Sequence, residues 1–138
     1  MTKEFHKFWL LITAIVVVSF GPIFFLGTIE TLSEPARFTL DILAWPLDDQ
    51  QTYKDTTLRF LSALTGGFLF GWGVMIICLR QWVYDLAPDP TRRTVVTGIF
   101  AWFVPDSAGS IFAGASSNVV FNIFVLIIAI GPLWKSAK

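Results

Sequence analysis

One cysteine and one histidine, Cys78 and His6, are the whole supply of soft metal ligands in this chain of 138 residues. A lone thiol excludes an intramolecular disulfide, and the pair excludes a Cys/His cluster for structural zinc or an iron–sulfur centre. His6 precedes the first apolar run and no histidine lies within one, which disfavours bis-histidine haem and histidine-ligated chlorophyll. No C-x-x-C redox pair and no paired carboxylates inside an apolar segment are present to share general acid–base work. Charge is scarce as well. Ten Lys and Arg balance ten Asp and Glu at 14% of the chain, leaving neither a basic surplus for nucleic acid nor an acidic surplus typical of disorder. What the chain has is apolar: 54% hydrophobic residues and a mean hydropathy of +0.66, which excludes a water-soluble globule of this size.

Crossing about 30 Å of hydrocarbon takes roughly 20 apolar residues in a helix. Phe8 to Ile29, Phe60 to Leu79 and Ser107 to Trp134 are free of acids and bases except for Asp106 at the border of the last, and each is long enough. A fourth stretch, Thr94 to Val104, is apolar for 11 residues before Pro105. Asp89 followed by Pro90 reads as an N-cap with proline at the first helical position, which moves the start back to about 90. That helix either stops near 105 or kinks through Pro105 to 112. The fold class expected is therefore all-α: a polytopic membrane protein with four transmembrane helices in a bundle, at about 8–29, 58–80, 90–105 or 112, and 115–134, forming one domain over 1–138.

Charge position gives the threading, because Lys and Arg in short loops collect on the cytoplasmic side. With both termini inside, cytoplasmic segments hold Lys3, Lys7, Arg80, Arg92, Arg93, Lys135 and Lys138 against Glu4, Asp85 and Asp89. Outer segments hold Arg37, Lys54 and Arg59 against Glu30, Glu34, Asp41, Asp48, Asp49, Asp55 and Asp106. Net zero thus separates into +4 inside and −4 outside. Trp9, Trp82, Tyr84 and Trp134 fall at the proposed cytoplasmic edge, where amphipathic rings anchor. Lys3 and Lys7 precede an apolar run too long for a cleaved signal, with no A-x-A site after it, so a retained signal-anchor is expected.

In the first outer loop, Ser33-Glu34-Pro35 reads as a helix start opening an amphipathic helix of about 34–45. Phe38, Ile42 and Trp45 share one face with Leu43 beside them, and Arg37 and Asp41 fall on the other. Such a helix serves as a lid or docking element, or simply as a connector resting at the lipid headgroups, which is the plainer reading.

The second membrane helix carries Ala63, Gly67 and Gly71 at every fourth position, with Ser62, Gly66 and Gly73 alongside. Small residues at that spacing let helices approach closely, within one bundle, at a homo-oligomer interface, or around a groove for a lipid tail or isoprenoid ring. Gly21-Pro22 kinks or thins the first helix. Polar chemistry concentrates elsewhere. Asp106 is the acid nearest a membrane interior, Gly114, Asn118 and Asn122 stack on one face of the last helix, and Arg59 begins the second helix at the level of Asp106. An Arg59–Asp106 ion pair is geometrically natural. These four, Arg59, Asp106, Asn118 and Asn122, either form a structural network pinning the second, third and fourth helices or line an outward-facing pocket for a polar headgroup or small solute. His6 is expected at the interface, and Cys78 as a buried small hydrophobe.

An arginine just before a glycine-rich second helix, here Arg59 with Gly66, Gly67, Gly71 and Gly73, resembles the DoxX-like small four-helix membrane proteins of bacteria. The resemblance implies a bacterial inner-membrane protein, sometimes associated with an oxidoreductase, and implies no catalytic residue. Three functions remain: a noncatalytic accessory subunit or assembly protein, which the scarcity of ionisable groups favours; a small oligomeric transporter or channel; and a lipid- or quinone-handling enzyme. No metal or dedicated cofactor is expected, only a bound lipid or quinone. The expected partners are the lipid bilayer and a membrane protein or second copy of the chain, with no nucleic acid.

Overall fold

The computed structural model describes residues 1–48 and 50–138, so the outer acid expected at Asp49 lies outside the described residues. Among the described residues every regular element is helical. Helix α1 spans Lys3–Leu26, a 3-10 turn Glu30–Leu32 leads to α2 at Glu34–Ala44, and α3 at Thr56–Cys78 continues into one π-helical turn, Leu79–Val83. Helix α4 spans Pro88–Phe112, and α5 at Ser117–Ile130 tightens into a 3-10 turn, Gly131–Trp134. Four stretches are long and apolar enough to cross a membrane: Lys3–Leu26, Thr56–Val83, Pro88–Phe112 and Ser117–Trp134.

The ends of these helices follow local hydrogen bonding. Thr2 Oγ1 accepts the N–H of Phe5 at 3.2 Å and starts α1 at Lys3, and the Asp55 carboxylate accepts that of Leu58 at 3.0 Å and starts α3. Two expected caps are not made. Helix α4 begins at Pro88, before Asp89, whose carboxylate instead accepts from Arg92 Nε at 2.9 Å, Arg93 Nε at 2.8 Å and Ser136 Oγ at 2.9 Å. Ser33 does not cap α2 either, because its hydroxyl donates to the Glu30 carbonyl at 2.8 Å. Of the two ends left open for the third long helix, the chain takes the later one: α4 runs through Pro105 to Phe112. Gly114, at φ +80°, then reverses the chain into α5.

Helices α1 and α3 form the most extensive pair, and glycine is the reason. A Cβ on Gly66 would lie 2.8 Å from the Gly21 carbonyl oxygen and 2.9 Å from the Phe25 nitrogen, and one on Gly73 would lie 2.7 Å from Val18 Cβ. Backbone therefore packs on backbone. The buried residues of α3 are Ser62, Gly66, Gly73 and Ile76, a seam advancing by three or four residues at a time. Of the expected packing face, Gly66 and Gly73 lie in this seam, and Ala63, Gly67 and Gly71 do not. Ala63 is exposed, and nothing within 4 Å would meet a Cβ on Gly67 or Gly71. Steps of four residues overshoot a turn by about 40° each, so the Ala63–Gly67–Gly71 row winds away from α1.

Helix α2 folds back on the far ends of α1 and α3. Its inward residues are Ala36, against Gly27, and Asp41, which is only 5% exposed. Phe38 and Trp45 point outward at 57% and 63% exposure. Ala36 is small enough to enter the crowded corner made by Gly27, Ser62 and Tyr53, where a larger apolar side chain would clash. Ser117 Oγ donates to the Leu43 carbonyl at 2.6 Å and ties α2 to the start of α5.

Both termini and the α3–α4 connection gather at the opposite end. There Trp9 Nε1 donates to the Ile128 carbonyl and Thr13 Oγ1 to that of Ala129, each at 2.8 Å, while Arg92 Nη1 reaches the Leu133 carbonyl at 2.7 Å. Gly131 has φ +36° and lies under the Trp9 indole, so any side chain there meets the ring. His6, expected at an interface, is fully buried beneath Tyr84 at a ring-centroid distance of 6.5 Å, because the Thr2 cap draws it inside α1 and the π-helical turn brings Tyr84 over it. Cys78 is a free, half-buried thiol.

Candidate functional site

The buried apolar side chains form two separate clusters. The larger, at the termini end, is built on Leu10, Ala14, Val17, Ile76, Val95 and Ile99, and the smaller, at the α2 end, on Phe24, Ala36 and Tyr53. Between them the bundle holds a half-open cavity of about 340 Å³. Val17, Phe20 and Phe24 of α1, Phe68, Leu69 and Trp72 of α3, and Ile99 and Trp102 of α4 supply apolar wall. Helices α3 and α4 face one another across this space rather than packing along their length. Trp72 and Trp102 meet at a ring-centroid distance of 6.4 Å.

One wall is polar. Asp106 follows Pro105 on α4, with Ser107 next to it and Ser110 one turn on, and Asn118 and Asn122 stand one turn apart on α5. Because the chain reverses within a few residues at Gly114, these two faces are brought together. Asp106 Oδ2 accepts from Asn122 Nδ2 at 2.6 Å and from Asn118 Nδ2 at 3.1 Å. Asn122 also donates to Ser107 Oγ at 3.1 Å and Asn118 to Ser110 Oγ at 2.8 Å, and Ser110 in turn donates to the Asp106 backbone carbonyl at 2.8 Å. Both amide N–H bonds of each asparagine are thereby used.

A second recess of about 390 Å³ lies between α2 and the α4–α5 turn, lined in part by Gln51, Pro105, Gly109 and Ser110. Leu43, Asp106 and Asn118 line both spaces. The carboxylate and its amide partner thus stand at the partition between an apolar interior and a recess at the α2 end.

Of the four residues expected to act together, the structure joins three. Arg59 makes no ion pair with Asp106 among the described residues. It sits one turn after Asp55, whose carboxyl is held below the usual carboxylate range by the backbone N–H groups of Leu58 and Thr57, with the Arg59 charge a smaller cause. The network therefore pins α4 to α5 and leaves α3 out, since the cavity intervenes.

Several lining residues were not legible as a site, Trp72, Trp102 and Leu43 among them. The two tryptophans carry a signal: indoles favour membrane interfaces, whereas these lie midway along their helices. Among the described residues no three His, Cys, Asp or Glu side chains converge as a metal site. Among the described residues Asp106 is the single ionisable side chain on the cavity wall. No protein-family model, no curated protein and no solved structure matches the chain.

Proposed function

We propose that this is a noncatalytic multi-pass membrane protein that binds an amphipathic molecule, holding its apolar part in the central cavity and its polar part at Asp106 and Asn118. The observation that carries the reading is the shared wall: one carboxylate and one amide border both an apolar cavity and the recess beside α2. A space of about 340 Å³ is within the ordinary range for small-molecule sites. Membrane embedding is supported by the four apolar helices and by large side chains left uncovered along the bundle, such as Phe112 at 91% and Leu86 at 86% exposure. The charge separation of the sequence supports both termini in the cytoplasm, and the DoxX-like pattern of Arg59 and the α3 glycines supports a bacterial inner membrane. Within that membrane the chain acts by binding, as an accessory or interaction protein, with α2 resting at the headgroup level above the site.

Native mass spectrometry from mild detergent tests this reading. The wild type retains an amphipathic molecule of a few hundred daltons, and Val125→Trp, which puts an indole on the α5 wall of the cavity, loses it without losing its native melting transition. Equal retention by both proteins, or retention by neither after incubation with membrane extract, overturns the reading.

A further inference from the structure

We infer that the ligand of this cavity is a lipophilic organic cation, an amine or quaternary ammonium group carried on an apolar or aromatic body. The inference rests on the binding role proposed above and adds the chemistry of what is bound. It follows from which hydrogen-bonding atoms remain free. Asn118 and Asn122 spend all their N–H groups on Asp106, Ser107 and Ser110. Among the described residues, Asp106 Oδ1, Asn118 Oδ1 and Asn122 Oδ1 have no hydrogen-bond partner, and each is an acceptor. A phosphate, a carboxylate or a quinone carbonyl brings only acceptors to these three oxygens and is repelled by them, which leaves it the Thr65 hydroxyl and the Trp72 and Trp102 indole N–H groups of the apolar wall. A group that brings donors or positive charge is complementary to the three oxygens.

Charge points the same way. No Lys, Arg or His lies within salt-bridge distance of Asp106 among the described residues, and its α3 neighbour of opposite sign, Arg59, stands beside Asp55. A carboxylate at the edge of an apolar space without a protein counter-ion gains from a cationic ligand. The remaining wall suits the rest of such a molecule. Phe20, Phe68, Trp72, Trp102 and Phe121 present aromatic rings, whose faces attract alkylammonium groups.

The test uses the whole protein in phosphatidylglycerol nanodiscs, with empty discs as the blank for charge attraction to lipid. Three probes of one shape class are compared by equilibrium dialysis: phenyltrimethylammonium, its uncharged isostere tert-butylbenzene, and the neutral amphiphile 4-tert-butylbenzyl alcohol. The cation is expected to bind at least tenfold more tightly than its isostere, and Asp106→Asn to remove at least tenfold of that affinity while weakening the alcohol by a clearly smaller factor. Should Asp106→Asn fail to fold, Trp72→Leu is expected to weaken the cation several-fold more than the alcohol. Binding of the alcohol with no preference for the cation overturns this inference and leaves the binding role standing. Binding of none of the three overturns the binding role itself. An added arm, with phosphatidylethanolamine in the discs, separates the source: competition with the cation identifies a lipid ammonium headgroup, and its absence identifies a free amine.

Discussion

Replacing Gly66 by alanine sets the seam between α1 and α3 against the neighbouring row of small residues on the same helix. The new methyl would sit 2.8 Å from the Gly21 carbonyl oxygen and 2.9 Å from the Phe25 nitrogen, both backbone atoms that no rotamer change can move. Ordinary contact requires more than about half an ångström of extra separation, so α1 and α3 must part locally. Overpacking of this kind costs about 1–3 kcal/mol. Gly67→Ala is the matched control, because no atom lies within 4 Å of its Cβ position and it gains helix propensity of up to about 1 kcal/mol. Reversible unfolding in mild detergent, followed by circular dichroism, reads the difference. Gly66→Ala is expected to be destabilised by about 1–3 kcal/mol and Gly67→Ala to be unchanged or slightly more stable. Equal destabilisation by both refutes the reasoning and shows that the outer row, Ala63, Gly67 and Gly71, is itself a covered interface.

Three further variants address the helix ends and the buried polar residues. Asp55 caps α3 with its carboxyl held below the usual range, so its contribution is present at neutral pH and is lost as pH falls through that lowered value. Asp55→Ala is expected to lower stability at pH 7 and to match the wild type at pH 2, and a constant deficit across that range would contradict the assignment. At the termini end, Arg92→Met strips partners from Asp89 and from the Leu133 and Trp134 carbonyls and is expected to cost about 1–3 kcal/mol in the same unfolding assay. His6→Leu, by contrast, replaces a buried ring whose nitrogens make no short, well-aligned hydrogen bond and whose polar neighbour is the Pro132 backbone, and it is expected to cost less than Arg92→Met; an equal loss would show that the Pro132 contact carries stability.

Particular residues show where sequence reasoning reached and where it stopped. Asn118 and Asn122, at i and i+4, are neighbours on any helix, so their shared face was legible, and Asp106 stood out as an acid bordering an apolar stretch. That Asp106 would bond these two and not Arg59 depended on α4 continuing past Pro105 and reversing at once into α5, which brings its face onto theirs. Leu43 joined the site through α2, whose apolar face was legible but whose docking was not: Phe38 and Trp45 point outward, and Ala36 fits the corner at Gly27. His6 looked interfacial by position alone, and its burial required Tyr84, 78 residues away, to be laid over it.

The sequence by itself determined that the chain is helical, that it contains four stretches able to cross a membrane, and that its charges divide by segment. These are local properties, set by apolar run length, by capping residues and by the order of charges along the chain. Only the tertiary structure decided which small residues touch a neighbour, which cation stands near which acid, and that an aromatic cavity lies behind Asp106. The physical reason is rotational phase. A helix presents each side chain at an angle that the next helix either meets or misses, and a single turn through Pro105 or one left-handed glycine at Gly114 shifts that angle for every residue beyond it.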